Sequence, residues 1–122
     1  MADIATVVDN YIAIWNEGDQ ERRRALIAET WTEDATYVDP LVTGEGADGI
    51  DAMIGGVQQA YPGHRFKLVS GPDAHHDRVR FTWQLFGEDG QVPVATGIDF
   101  ATVADDGRLK DVTGFLEQPA TA

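Results

Sequence analysis

The amino-acid sequence predicts a single α+β domain, in which three helices pack on a strongly curved, mostly antiparallel sheet and leave an internal pocket. Three observations support this prediction. Apolar residues recur every three or four positions in the first half of the chain, which is typical of amphipathic helices. From Arg65 onward they alternate with polar residues, as in half-buried strands. The length of 122 residues fits one domain, which we assign to residues 1–122.

The first two predicted helices are close together in the sequence. Helix one covers residues 4–15 and ends before Gly18, which suits the left-handed conformation that follows a helix. Helix two covers residues 20–30, and the Asp19 side chain can cap its free amides. The arginine run at residues 22–24 is predicted to form a solvated face. The predicted buried side of helix two consists of Ala25, Leu26, Ile27 and Trp31.

A short strand over residues 34–40 and a glycine-containing loop at residues 43–46 lead to the third helix. Pro40 ends the strand because proline lacks the amide hydrogen that a sheet ladder needs. Helix three covers residues 47–60 and is broken by Tyr61-Pro62-Gly63. Its predicted buried residues are Ile50, Met53, Ile54 and Val57.

The second half of the chain is predicted to form an antiparallel meander. The strands after Arg65 include residues 79–85, 92–103 and 109–117. Asp-Gly turns at residues 88–91 and 105–108 join the last three of them. Residues 118–122 are predicted to fray.

Composition excludes several classes of function. Nine basic and 21 acidic residues give a net charge of −12, which disfavours binding to nucleic acid or anionic membranes. The absence of cysteine excludes disulfides, thiolate metal sites and a cysteine nucleophile. The N-terminus does not have the layout of a signal peptide, and no apolar run approaches the ~20 residues of a membrane span. We therefore expect a cytoplasmic protein.

Asp39 is the first candidate for a functional side chain. On a strand over residues 34–40, Ala35, Tyr37 and Asp39 point to the same face. The carboxylate thus stands at a strand end beside an aromatic ring. Such an acid either caps the following turn or transfers protons, and the sequence leaves both alternatives open.

Asp99 is the second candidate, because it shares one strand face with the small residues Ala95, Gly97 and Ala101. Small residues around a lone acid are expected in a pocket wall, since larger side chains would fill the cavity. An isolated buried carboxylate is costly, so Asp99 must be paired, metal-bound or protonated.

Most large apolar residues belong to the core, but some should line a cavity for a planar or polycyclic ligand. The candidates are Trp15, Trp31, Tyr37, Met53, Val57, Tyr61, Phe66, Trp83 and Phe115.

The pair His75-His76 does not form a convincing metal site. Adjacent side chains on a strand point to opposite faces, so a hairpin turn over His75-His76-Asp77 is the better interpretation. His76 as a base in the pocket is the alternative. Arg80, Thr82 and Gln84 are predicted on the outer face of the sheet.

Four segments together support a family resemblance. They are Tyr-Ile-Ala-Ile-Trp-Asn-Glu-Gly-Asp at residues 11–19, Trp-Thr-Glu-Asp-Ala-Thr-Tyr-Val-Asp-Pro at residues 31–40, Gly-Ile-Asp-Phe at residues 97–100, and Asp-Gly-Arg-Leu with Gly-Phe-Leu within residues 106–116. With these segments the chain resembles the nuclear transport factor 2-like superfamily (cystatin-like cone), and within it the SnoaL-like polyketide cyclases. This superfamily includes enzymes, carriers and assembly domains, so the resemblance implies the fold more strongly than the reaction.

Within that superfamily the chain is similar to the ketosteroid isomerases residue by residue. Their aspartate base, just before a proline on the first strand, matches Asp39. Their oxyanion-hole tyrosine, seven residues before a Gly-Asp pair, matches Tyr11. Their protonated aspartic acid, after an isoleucine in a late strand, matches Asp99. The segment between Gly18 and Asp39 is longer here than in those enzymes.

The resemblance implies an enzyme that moves a proton on a small apolar carbonyl compound, as an isomerase or an aldol cyclase, with neither metal nor cofactor. Asp39 would be the base, and Tyr11 and Asp99 would stabilise the enolate. A non-catalytic binding module with the same pocket, or a dimerisation domain, is the main alternative. An epoxide hydrolase-like enzyme, in which an arginine such as Arg80 bridges two aspartates, is a weaker one. The resemblance also implies a homodimer.

Overall fold

The structure, a computed structural model, describes residues 3–117. The chain forms α1 (Ile4–Asn16), α2 (Gln20–Thr30), β1 (Trp31–Val38), β2 (Thr43–Glu45), α3 (Gly46–Ala60), β3 (Arg65–His75), β4 (Arg78–Phe86), β5 (Pro93–Val103) and β6 (Leu109–Leu116). The predicted α+β class, with three helices on a mostly antiparallel sheet, is confirmed. The predicted fraying of residues 118–122 concerns residues outside the described range. No helix between residues 3 and 117 combines the length and apolar character that crossing a membrane requires.

The six strands form one sheet in the order β2-β1-β6-β5-β4-β3. Neighbouring strands are antiparallel except for β1 and β6, which are parallel and place Tyr37 opposite Val112. β6 in turn pairs with β5 and places Gly114 opposite Asp99. These two pairings leave only β6 between the end of β1 and the middle of β5, and so bring two parts of the chain about sixty residues apart to the same region of the sheet.

Strand β5 shows the alternation that the sequence predicts. Gly97, Asp99 and Ala101 are buried on the inner face, whereas Phe100 is 41% exposed on the outer face. The inner face packs against α1 and α3. The buried core there includes Val8, Tyr11, Ile14, Ile50, Ile54, Val79, Phe81 and Val112.

Helix α2 differs from its prediction. Arg23, expected in a solvated face, is only 5% exposed, and its Nε donates to Asp51 on α3 at 2.7 Å. A second bond from Arg23 Nη1 reaches Gln58 Oε1 at 3.0 Å. These partners offset the cost of burying the guanidinium, and the pair fastens α2 to α3. Ala25, expected in the core, is exposed instead.

The segment predicted as a loop before the third helix contains a short strand. β2 pairs with the end of β1 and places Thr43 opposite Val38. A hydrogen bond from the Thr43 hydroxyl to the Tyr37 carbonyl at 3.1 Å reinforces this pairing. Three residues are too few to show a period of two, which is why the sequence pattern does not reveal this strand.

Candidate functional site

A cavity of about 510 Å³ lies between α1, α3 and the inner face of the sheet. Its volume is within the range of small-molecule sites. Most of the predicted lining residues border it, namely Trp15, Tyr37, Met53, Val57, Tyr61, Phe66 and Trp83. The lining residues with polar groups include Tyr11, Tyr37, Asp39, Thr43 and Asp99, besides Tyr61 and the indoles of Trp15 and Trp83. All three predicted catalytic residues therefore border one cavity.

Trp31 and Phe115, which were also predicted to line a ligand cavity, do not border this one. Trp31 is buried in the core against Tyr11, with ring centroids 5.6 Å apart. Phe115 is 60% exposed. Because its neighbour Gly114 faces inward opposite Asp99, the alternation of the strand turns Phe115 outward.

Tyr11 and Asp99 form a buried hydrogen-bonded pair. The Tyr11 hydroxyl donates to Asp99 Oδ2 at 2.6 Å, from α1 to β5. Asp99 is only 1% exposed, and burial raises the pKa of its carboxyl from 3.8 to about 6. The bond from Tyr11 and the nearby Trp83 indole lower this pKa, whereas the negative charge of Asp39 raises it. At a pH near 6, a substantial fraction of the molecules therefore carries a proton on this carboxyl.

The other oxygen of Asp99 has no hydrogen-bond partner between residues 3 and 117. Gly114 leaves space beside it: a Cβ at Gly114 would lie 2.8 Å from Asp99 Oδ1. Gly97 has a different reason to be small, since a Cβ there would lie 2.2 Å from the Trp83 ring. The small residues of this wall thus make room for one polar atom and for one aromatic ring.

Asp39 caps a turn and also borders the cavity. Its Oδ1 accepts from the backbone amides of Leu41 at 2.7 Å and Val42 at 2.9 Å, which caps the turn after β1. Its Oδ2 accepts from the Tyr37 hydroxyl at 2.6 Å, and the residue borders the cavity. One oxygen serves the turn and the other faces the site.

The hydrogen bond from Tyr37 to Asp39 is a feature that the sequence interpretation missed. Tyr37 was expected only as a lining residue, yet its hydroxyl orients the Asp39 carboxylate. Burial, followed by the charge of Asp99 and the bond to Asp39, raises the pKa of Tyr37, so that it stays a donor. The sequence carries a signal for this contact, because a strand that continued to residue 39 would place residues 37 and 39 on one face. β1 itself ends at Val38, one residue before Asp39.

The two tyrosine–aspartate pairs meet at Gly114. The position that a Cβ would take there lies 3.1 Å from both Asp39 Cβ and the Tyr37 hydroxyl, and 2.8 Å from Asp99 Oδ1. The Asp99 carboxyl, the Tyr37 phenol and the Cβ of Asp39 thus surround one small space. Such a constellation can remove a proton at one point of a ligand and stabilise charge at another.

The remaining candidates lie away from the cavity. His75 and His76 are exposed at the β3–β4 turn, where His76 has φ of 52°. Arg80 is exposed on the outer face and pairs with Asp73 at 3.1 Å, so it cannot bridge Asp39 and Asp99 as an epoxide hydrolase-like site would require. Among residues 3–117, no three His, Cys, Asp or Glu side chains are grouped so that they could hold a metal ion.

Comparisons with known proteins agree with this architecture. A family model described as the SnoaL-like domain matches residues 8–112. A SnoaL-like family protein from Agrobacterium tumefaciens, whose proposed activity is that of an isomerase, is 46% identical, with a TM-score of 0.89 over 93% of this chain and 97% of that one. The chain matches no curated protein significantly.

Two solved structures of proposed polyketide cyclases are more distant. The protein from Sinorhizobium meliloti is 17% identical, with a TM-score of 0.69 over 89% of this chain and 93% of that one. The protein from Jannaschia is 19% identical, with a TM-score of 0.71 over 96% of this chain and 90% of that one. At such identities the likeness concerns the fold alone.

Proposed function

The chain belongs to the SnoaL-like domain family, as its sequence predicts, and we propose that it is a cofactor-free acid/base enzyme acting on a small apolar carbonyl compound. The reaction would be a proton transfer that leads to isomerisation or aldol cyclisation. The proposed isomerase activity of the 46% identical relative supports this class of reaction.

The contrast between Asp39 and Asp99 is the observation that carries the proposal. Asp39 accepts three hydrogen bonds, an arrangement that suits an ionised carboxylate because it only accepts. Asp99 is buried, and its pKa is raised to about 6. Two carboxyls of one site in opposite surroundings are the usual way to obtain a base and an acid at the same pH.

The proposed first step is removal of a proton from the carbon next to the ligand carbonyl. Asp39 forms the new O–H bond, the C–H bond breaks, and its electron pair moves onto the carbonyl oxygen. Protonated Asp99 donates from Oδ1 to that enolate oxygen, while Tyr11 holds Oδ2 in place. Return of the proton to a second carbon would complete an isomerisation. In a cyclisation the enolate carbon would attack a second carbonyl, whose oxygen would then take the proton from Asp39.

Deuterium exchange tests this step without the natural substrate. β-Tetralone is a planar bicyclic ketone with exchangeable protons beside its carbonyl, and NMR in heavy water measures their loss. We expect the protein to accelerate exchange and Asp39→Asn to reduce the acceleration at least ~100-fold while the fold remains intact. Asp9→Asn, an exposed aspartate of α1, is the matched control and should retain full activity. Full acceleration in Asp39→Asn would refute the assignment of the base.

A non-catalytic binding module is the second candidate, and the turn-capping bonds of Asp39 favour it. Two of its three hydrogen bonds come from the amides of Leu41 and Val42, a purely structural use of the carboxylate. In that case β-tetralone would bind without exchange above the background rate.

We also propose that the protein forms a homodimer through the outer face of the sheet. Val94, Phe100 and Phe115 are exposed there, and the outward residues of β5 carry no charge. The uncharged outward side of β5 is where two copies with a net charge of −12 can meet with least repulsion. Sedimentation equilibrium should give a dimer, and Phe115→Lys should give a monomer.

A further inference from the structure

We infer that the indole N–H of Trp15 is a hydrogen-bond donor to the ligand oxygen, and that it acts there together with Asp99. This inference rests on the proposed function in one respect, namely that the ligand carries a carbonyl, enol or phenol oxygen at the Asp99 end of the cavity. It assigns to Trp15 the second donor that an enolate oxygen needs.

The first observation concerns hydrogen-bond satisfaction. Trp15 is only 6% exposed, and its Nε1 has no acceptor between residues 3 and 117. An indole N–H can only donate, and buried donors in native proteins nearly always have a partner. The Nε1 atom is covered in this structure, although its ring borders the cavity. An unpaired donor in this position is explained when a ligand displaces the atoms that cover it and brings the acceptor.

The second observation is the position of this side chain. Trp15 borders the cavity, and its ring lies edge-on to Tyr11, with centroids 6.4 Å apart. Burial raises the pKa of the Tyr11 hydroxyl, and the indole N–H of Trp15 lies close enough to offset part of that rise, although it does not meet hydrogen-bond geometry. The unpaired donor therefore lies on the side of the ring that faces Tyr11, whose hydroxyl is bound to Asp99.

The third observation concerns Tyr11, which the family resemblance implies as the donor. Its single hydroxyl proton already points to Asp99 Oδ2 at 2.6 Å. That proton is engaged whether Asp99 is ionised or carries its own proton on Oδ1. Tyr11 thus positions Asp99. The Trp83 indole also lies near Asp99. Among the cavity-lining residues, the buried polar side-chain atoms without a partner between residues 3 and 117 are Asp99 Oδ1, a donor when protonated, and Trp15 Nε1.

The chain provides a matched control for this donor. Trp31 also has a buried Nε1 without a partner between residues 3 and 117, but it does not border the cavity. Trp15→Phe and Trp31→Phe therefore remove the same N–H group, one from the cavity wall and one from the core.

The experiment compares two probes that differ by one oxygen, β-naphthol and naphthalene. Their dissociation constants are measured for the wild type and both variants. We expect Trp15→Phe to reduce the preference for β-naphthol about fivefold, the usual loss for one hydrogen bond, and Trp31→Phe to leave it unchanged. An unchanged preference in Trp15→Phe, an equal loss in both variants, or a wild type that binds neither probe would each overturn the inference.

Proton NMR of the wild type gives a second readout that does not depend on whether a variant folds. The protein has three tryptophans and hence three indole N–H signals. We expect the Trp15 signal, assigned through its contacts with Tyr37 and Phe66, to move downfield with β-naphthol and not with naphthalene. A signal that responds equally to both probes would overturn the inference. Loss of β-tetralone exchange alone would instead count against the proposed function and leave this donor in place.

Discussion

The two tyrosine–aspartate pairs of this protein have the same bond and different surroundings. Tyr11 donates to Asp99 and Tyr37 donates to Asp39, both at 2.6 Å. Asp99 has no other partner between residues 3 and 117, whereas Asp39 also receives two backbone amides. The tyrosine donor is therefore common to both carboxyls. They differ in burial and in the number of their other hydrogen-bond donors, and these two factors influence the pKa of a carboxyl.

The largest expected difference between the two pairs is the effect of pH on the free energy of unfolding. We expect the titration of Asp99 to cause it. Its pKa is about 6 in the folded protein and 3.8 ordinarily, so the folded state binds the proton more tightly. This contribution is fully present below pH ~4 and is lost as the pH rises through ~6, which amounts to about 3 kcal/mol. Urea unfolding between pH 4 and 7 measures it, and Asp99→Asn should lack this component. The same slope in both proteins would contradict the assignment.

Filling the space between the pairs should have the next largest effect. Gly114→Ala places a methyl 2.8 Å from Asp99 Oδ1 and 3.1 Å from the Tyr37 hydroxyl. We expect a loss of about 2 kcal/mol in the free energy of unfolding, because overpacking forces both pairs apart. Gly56→Ala on α3 is the control, since a Cβ there meets nothing within 4 Å. It should be neutral or slightly stabilising. Equal stability of the two variants would show that the pairs have room to separate.

The smallest expected effect comes from removing each phenol hydroxyl in turn. Tyr37→Phe leaves Asp39 with its two amide donors and should cost about 1 kcal/mol of unfolding free energy. It should leave the pKa of Asp99 close to 6. Tyr11→Phe removes the bond that lowers the Asp99 pKa, so this pKa should rise. Carbon NMR of the Asp99 carboxyl measures both outcomes, and equal shifts in the two variants would mean that the pairs are coupled.

Local patterns in the sequence predict much of this architecture, because the period of a strand assigns each residue to a face. The rule correctly predicts that Asp99 faces inward together with Gly97 and Ala101, and that Phe100 faces outward. It also placed Tyr37 beside Asp39, although the bond between them was not inferred.

The errors concern contacts between distant parts of the chain. Arg23 is buried because Asp51, twenty-eight residues later, accepts a hydrogen bond from its Nε. Phe115 is exposed because Gly114 takes the inward position, where it lies opposite Asp99 of β5. Neither Asp51 nor Asp99 can be recognised as the partner from a local pattern, and in each case the residue type favoured the opposite face.

The position of β6 in the sheet has a consequence for how the chain acquires its site. β6 is the link between β1 and β5, so without it the sheet would divide into a two-strand piece and a three-strand piece. Gly114 and the strand that presents it are also made last among the elements of residues 3–117. During synthesis, the strand that carries Tyr37 and ends next to Asp39 would therefore have an unpaired edge until β6 pairs with it. A pairing between residues so far apart in the sequence forms slowly. Until it forms, the nascent chain exposes this strand edge and its cavity is incomplete.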